Sequence, residues 1–358
     1  MIAPAAEAPA TRPRQDRLLR ALRREPVDRT PIWFMRQAGR SLPEYRAIKQ
    51  HFTLLEICQR PELCAEVTLQ PVQRLGVDAA ILYADIMHPL IGVGIDLEIV
   101  EKVGPVIAEP IRAPGDVSRL RPLKPESDVA FVLEDIQAVL ARLDGAVPLI
   151  GFSGAPFTLA SYLVEGRPSR DFLYTKRLMY GSPAVWHELM QRLAEIVGSY
   201  LMAQAGAGVH VLQLFDSWAG ALSVDDYCRY VQPYSRLVCD RVAMAGLPLI
   251  HFGTGTGALL EAMRDAGGST IGLDWRVPLD LAWERIGYDH GVQGNLEPLV
   301  LQAPWEVVQR EAEAILGRAA SRPGHIFNVG HGIHPDTLPE QLERLVSYVH
   351  EHTASAAG

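Results

Sequence analysis

Lysine is scarce in this chain: of 34 basic residues only Lys49, Lys102, Lys124 and Lys176 are lysines. None directly follows one of the short apolar runs, so a Schiff-base mechanism, with pyridoxal phosphate or a carbonyl substrate, lacks an evident nucleophile. Cysteine is equally sparse. Cys58, Cys64, Cys228 and Cys239 show no C-x-x-C spacing, which removes a zinc knuckle and a redox motif and fits free thiols in a reducing compartment. There is no G-x-S-x-G elbow and no glycine-rich dinucleotide fingerprint. No apolar run approaches the length that spans a bilayer, and residues 1–13, rich in Ala and Pro, lack the apolar core of a signal peptide. A cytoplasmic protein without a membrane partner is expected. Excess positive charge is missing too. A net charge of -8 speaks against nucleic acid as a partner, and any anionic ligand must be drawn by a local group of arginines.

What is present is a sizeable core: 48% of the 358 residues are hydrophobic and 21% charged, the balance of a globular α/β protein. Short apolar runs bounded by Gly or Pro occur at residues 32–34, 78–83, 148–152, 209–215, 248–252, 269–273, 291–293 and 325–329. Helical periodicity is expected over 14–24, 52–59, 61–75, 129–143, 183–205, 224–245, 258–266, 278–286, 305–316 and 338–351, with Asp128, Ser182 and Ser223 at N-cap positions. Eight strands alternating with helices in one chain is the count of a single-domain (β/α)8 TIM barrel. The alternation in Ile95-Asp96-Leu97-Glu98-Ile99-Val100 predicts an inserted hairpin after the second strand. The domain is expected over 14–352, between disordered tails at 1–13 and 353–358.

In such barrels chemistry sits at the carboxyl ends of the strands, and polar or glycine-rich residues follow nearly every run. The first is Arg36-Gln37-Ala38-Gly39-Arg40, which Gly39 and Pro43 predict to be a loop. Two guanidinium forks on one loop suit a multiply anionic small molecule. A surface loop whose arginines pair with local acids such as Glu44 fits the same fourteen residues. Asp85 ends the second run, either as a cap on the next turn or as an acceptor for a ligand's N–H groups. His331 stands between two glycines. His331 and His334 have no accompanying carboxylate or cysteine ligand, so no metal is expected. Gly253-Thr254-Gly255-Thr256-Gly257 has the look of an anion cradle but lacks the P-loop lysine. His210 and His251 fall within strand runs and are expected in the core.

Several stretches, in order, resemble the signature of the uroporphyrinogen decarboxylase family. They are Met35-Arg36-Gln37-Ala38-Gly39-Arg40 with Leu42-Pro43-Glu44-Tyr45-Arg46, then Gly151 to Leu159 with Tyr162 and Glu165-Gly166. Phe215-Asp216-Ser217-Trp218-Ala219-Gly220, Gly294-Asn295-Leu296 and Asn328-Val329-Gly330-His331-Gly332 follow. The similarity runs from about Arg14 to about His350. Ser41 and Ala84 depart from the pattern, standing where an aromatic residue and a serine are more usual.

The resemblance implies a homodimeric (β/α)8 barrel that removes carbon dioxide from the four acetates of uroporphyrinogen III, leaving coproporphyrinogen III, with no metal or organic cofactor. It implies that Asp85 accepts hydrogen bonds from the pyrrole N–H groups and stabilises a cationic ring intermediate, and that Arg36 holds the reacting acetate. Arg40 and Arg46 would serve further carboxylates of the eight. Tyr162, Ser217 and His331 would hydrogen-bond carboxylates, Phe215 would line the cleft, and Gln37, Ala38 and Gly39 would complete the binding loop. Two rivals remain open: a related zinc-dependent corrinoid or thiol methyltransferase, and a non-catalytic porphyrin binder using His331 as an axial ligand.

Overall fold

A computed structural model describes residues 13–100 and 103–354. The expected N-terminal tail, apart from Pro13, and residues 355–358 of the C-terminal one lie outside the described residues. Thr353, expected in that tail, is the last residue of the helix Pro339–Thr353, and its hydroxyl accepts the Thr30 N–H at 2.8 Å.

The strands, in chain order, are β1 (Ala80–Ile81), β2 (Leu97–Val100), β3 (Gly104–Ile107), β4 (Leu149–Gly154), β5 (Val211–Asp216), β6 (Leu249–Gly253), β7 (Thr270–Gly272), β8 (Gly291–Gln293) and β9 (His325–Ile326). Seven of them form one curled parallel sheet in the order β1-β4-β5-β6-β7-β8-β9. Their sequences are nearly continuous apolar runs because both faces are covered: Leu149, Ile150, Val211, Leu212, Ile250, Ile271, Val292 and Ile326 are all buried. β2 and β3 pair antiparallel, Leu97 opposite Ile107.

The run at 32–34 makes only a bridge. Ile32 pairs in parallel with Phe327, and the Ile32 N–H goes to the Asp78 carboxylate at 2.8 Å, which takes a donor that a ladder would have used. Even so, the segment touches both edges of the sheet. Trp33 N–H donates to the Phe327 carbonyl at 3.3 Å and Asp78 N–H to the Ile32 carbonyl at 2.8 Å.

Two helical expectations are corrected. The helix foreseen over 224–245 is two, Val224–Tyr230 and Gln232–Ala243, broken at Val231. Pro233 explains the break, since it cannot donate backward and is tolerated only in a first turn. Asp128 caps no long helix. It ends the turn Pro125–Asp128, accepts the Lys124 N–H at 2.7 Å and pairs with Arg121 at 2.6 Å, while the next helix starts at Ala130. Ser182 stands at its cap position without a side-chain bond, and Ser223 accepts the Asp226 N–H at 3.1 Å.

Candidate active site

The arginine loop is moored on two sides. The buried Gln37 side chain accepts the Phe34 N–H at 2.9 Å and donates to the Ala79 carbonyl at 2.8 Å. Asn328 Oδ1 accepts the Met35 N–H at 3.0 Å. Beneath the loop a polar chain crosses the sheet interior, from Trp33 Nε1 to Gln293 Oε1 (3.0 Å), Gln293 Nε2 to Gln213 Oε1 (3.3 Å) and Gln213 to the Met35 sulfur (3.7 Å). So fixed, the loop holds Arg36 at φ 64° and Arg40 at φ 39°, a left-handed backbone that non-glycine residues adopt at a cost and that recurs at functional sites. Gly39, at φ 107°, holds a backbone conformation that strains any side chain, and the space beside it is tight. An added Cβ would lie 3.3 Å from the Tyr45 ring and 3.4 Å from that of Tyr83.

Arg36 is exposed and Arg40 half-buried. Among the described residues neither has a carboxylate within ion-pair distance. Glu44 is bonded instead to Arg74 at 2.6 Å, so the local-pairing reading of the loop does not hold. Arg46 points elsewhere, donating to the Ser41 carbonyl at 2.7 Å. Across the loop Gly332 provides the space in which the Arg36 side chain lies: a Cβ there would fall 2.4 Å from Arg36 Cδ.

Asp85 follows β1, half-buried. Its Oδ1 accepts the Met87 N–H at 2.9 Å, so the capping reading is true of one oxygen. Burial raises its pKa, against the opposing pull of that N–H and of nearby Arg36. Tyr162, on the helix Pro156–Glu165, faces the same pair. Its hydroxyl is pushed up to about 12 by burial and then by Asp85, with Arg36 opposing. The ring packs at a tilt against Trp218, centroids 4.0 Å apart, a partner that residue-by-residue reading missed. His331 is lowered to about 4 by burial first, then by Arg36 and Arg276, with Asp274 opposing. It is therefore a neutral ring at physiological pH, a hydrogen-bonding group and not a cation.

Phe215 and Ser217 are half-buried at the end of β5, whereas Asp216 between them is fully buried. Strand alternation separates the three. Asp216 accepts from Thr158 at 3.2 Å and lies 4.0 Å from the His251 ring, so it braces the helix layer. Phe215 packs edge-on against Phe152 and Phe252. His210 and His251 are buried as expected. The glycine-rich turn after β6 already holds an anion of the protein: Gly255 N–H donates to the Asp274 carboxylate, and Thr254 to the Ser217 carbonyl. Among the described residues no group of three His, Cys, Asp or Glu is arranged to hold a metal ion.

Asp85, Tyr162 and His331 thus each lie within electrostatic reach of Arg36, and Tyr162 also of Asp85, with Arg40 on the same loop as Arg36. Gln37, whose side-chain groups are both engaged internally, supports that loop from beneath. The arrangement can grip a polyanion by its carboxylates while offering an oxygen acceptor to N–H donors.

Residues 13–352 match the model of the family described as uroporphyrinogen decarboxylase (URO-D). The chain belongs to the uroporphyrinogen decarboxylase family. It is 55% identical to the uroporphyrinogen decarboxylase of Sorangium cellulosum over 94% of this chain and 96% of that protein. With the uroporphyrinogen decarboxylase of Thermus thermophilus it shares 55% over 95% and 98%. Among solved structures, a methyltransferase from Methanosarcina mazei superposes with a TM-score of 0.77, covering 95% of this chain and 99% of the other. At 19% identity that likeness concerns the fold alone.

Proposed function

We propose that the chain removes carbon dioxide from the four acetate side chains of uroporphyrinogen III, giving coproporphyrinogen III, and that the cleft built on Arg36 and Asp85 is where it does so. Family membership over residues 13–352 supports the reaction. The observation that carries the site is the half-buried Asp85 carboxylate near Arg36, an arginine that makes no ion pair among the described residues.

Loss of carbon dioxide from a pyrrole acetate leaves an electron pair on the methylene carbon. A pyrrole protonated at carbon accepts it: the C–C bond breaks into the ring, carbon dioxide departs, a proton delivered to the methylene completes the methyl group, and the ring carbon releases the proton it had taken, which restores the pyrrole. The net change is one proton taken up for each carbon dioxide lost. No resident cofactor is needed as an electron sink. Asp85 accepts the pyrrole N–H groups and stabilises the cationic ring, an oxyanion hole with its sign reversed. Once a bound macrocycle covers the half-buried carboxylate, the lower local dielectric strengthens this interaction. Arg36 orients the reacting acetate and assists protonation directly or through a relay. Arg40, Tyr162, Ser217 and His331 bind other carboxylates, Phe215 covers the macrocycle, and Ala38 and Gly39 offer backbone at the loop.

The same reading makes residues 14–352 a single (β/α)8 catalytic domain in which the segment at 32–34 serves as the eighth strand and β2–β3 is a rim insertion. Two hydrogen bonds seat that rim on the Tyr162 helix, from Ile107 N–H to the Gly166 carbonyl and from Ile111 N–H to the Leu163 carbonyl, each 2.8 Å. A cytoplasmic homodimer completes the proposal. Among the described residues no helix is long and apolar enough to cross a membrane.

The test is an anaerobic assay of metal-stripped protein with uroporphyrinogen III, separating oxidised products by carboxylate number. Hepta- through tetracarboxylate products without added cofactor are expected. Tight porphyrin binding with no product would replace the enzyme by a binder, and activity that appears only with zinc would point to methyltransferase-like chemistry.

A further inference from the structure

A third arginine stands at the mouth of the cleft. Arg276 follows β7 through Asp274 and Trp275. The Asp274 side chain is buried and its charge is fully engaged: Oδ1 accepts the Arg276 N–H at 3.1 Å, and Oδ2 takes Arg276 Nη1 and the Gly255 N–H. Arg276 is not buried with it. Its side chain is 52% exposed, and its guanidinium lies over the Trp275 ring, 4.1 Å from the centroid. One nitrogen on a buried acid and one face on an indole fix the plane of the fork before any ligand arrives, which reduces the entropy lost on binding. Among the described residues the other guanidinium N–H groups have no protein acceptor.

The place of this arginine is set by two close approaches. A Cβ on Gly330 would lie 2.6 Å from the Trp275 nitrogen and 3.0 Å from the Asp274 carbonyl carbon, so the turn carrying Arg276 abuts the backbone that leads into His331. In the sheet, β4, β5 and β6 stand between β1, which Asp85 follows, and β7. Arg276 is therefore across the cleft from Asp85 and beside His331.

We infer that Arg276 is a substrate-binding residue that takes a carboxylate on the edge of the macrocycle remote from the reacting acetate, and so contributes to recognition of the polycarboxylate. The inference rests on the cleft proposed above. A ring seated with its N–H groups on Asp85 and one acetate on Arg36 spans the mouth, and its far carboxylates need a cation that the protein has not neutralised entirely. Asp274 makes the fork rigid without using it up. A charge at a rim acts on capture and on salt dependence more than on the chemical step.

The experiment measures KM and kcat for uroporphyrinogen III at several ionic strengths in the parent protein, Arg276→Gln and Arg276→Lys. A charge-assisted fork at a half-exposed position predicts a KM increase on the order of tenfold for Arg276→Gln, with a much smaller fall in kcat. A weaker dependence of KM on salt should accompany it, and Arg276→Lys should lie between, since it keeps the charge and loses the fork. An Arg276→Gln protein with the KM and salt dependence of the parent overturns the inference, whatever its melting temperature, because a brace for Asp274 alone would change only stability. If that variant does not fold, a parental KM in Arg276→Lys overturns it equally. Asp85→Asn, measured alongside, separates the two levels: retained turnover there sinks the cleft itself, whereas lost turnover with an unaffected Arg276 variant sinks only the role of Arg276.

Discussion

Two aspartates bracket the same strand and do opposite things. Asp78, ahead of β1, is 1% exposed and has every partner it can use. Arg17 holds one oxygen at 2.6 Å, and the other accepts the Ile32 N–H at 2.8 Å and meets His350 Nε2 at 2.7 Å. It ties the first helix, the bridging segment and the last helix to one point. Asp85, beyond β1, accepts one backbone N–H and stays partly open to the cleft. The arginines follow suit: Arg17 is shared between Asp28 and Asp78, and Arg74 among Glu44, Glu340 and Glu343, while Arg36 and Arg40 have no such counterion among the described residues. Ahead of β1 the charges of Asp78 and Arg17 are spent on each other, whereas beyond the carboxyl ends of the strands Asp274 and Arg276 pair while Arg36 and Arg40 keep no ion-pair partner among the described residues. A charge removed from water must be paired, as Asp78 is, whereas one open to solvent, as Arg36 is, can stay unpaired without that cost.

The contrast can be broken most severely at its satisfied end. Asp78→Ala leaves Arg17, His350 and a buried backbone N–H without their acceptor, and global stability should fall by about 3–5 kcal/mol in denaturant unfolding, with kcat of the folded fraction preserved. A variant that loses turnover without losing stability would reverse the assignment of the two ends. Asp85→Asn should do the reverse, lowering kcat by about 10²–10³. Its sign for stability follows from linkage: a carboxyl whose folded pKa is raised favours the folded state below its unfolded pKa, and that contribution is lost as pH rises through the folded value. Ionised Asp85 is thus a cost to folding, and above the folded pKa the asparagine protein should unfold at equal or higher temperature. In the parent, kcat/KM should fall on acidification as Asp85 takes up a proton, and an unchanged acid limb in the variant would assign that limb to another group.

A smaller effect tests the space around Arg36. Gly332→Ala pushes a methyl group into the Arg36 stem, a flexible and exposed side chain, so stability should change by less than about 0.5 kcal/mol. Activity should drop by roughly tenfold as the guanidinium is displaced; equal activity would show that Arg36 does not work from this position. A last effect, on stability alone, concerns a carboxyl that belongs to neither end. Asp135, buried in the helix Ala130–Leu143, is pushed up to about 8 by burial, with the Cys64 thiol opposing. Its contribution to stability is complete below about pH 4 and disappears as pH rises through about 8. Asp135→Asn should flatten that slope and gain roughly 1–2 kcal/mol at the alkaline end, read from unfolding curves at several pH values.

Much of this was legible in one dimension. The seven sheet strands fall within or beside the apolar runs because a parallel sheet covered on both faces needs unbroken apolar stretches. The loop character of Arg36 and Arg40 followed from Gly39 and Pro43. Local signals failed where a neighbour outbid them. Pro233 split a periodic stretch that reads as one helix, Asp128 found Arg121 and the Lys124 N–H before it could cap the next helix, and Asp78 took the donor of Ile32. The glycine-rich turn at 253–257 has the composition of an anion site, but its anion is Asp274, a residue whose position no spacing rule supplies.

The sequence by itself determined the alternation of strand and helix, the absence of a lysine nucleophile and the order of the family's motifs. Only the tertiary structure decided which charges are free. Arg17 meets Asp78 across 61 residues of chain and Arg74 meets Glu343 across 269, pairings that no local pattern reveals. Whether a charge is neutralised depends on what lies within a few ångströms of it, and folding, not chain proximity, sets that distance.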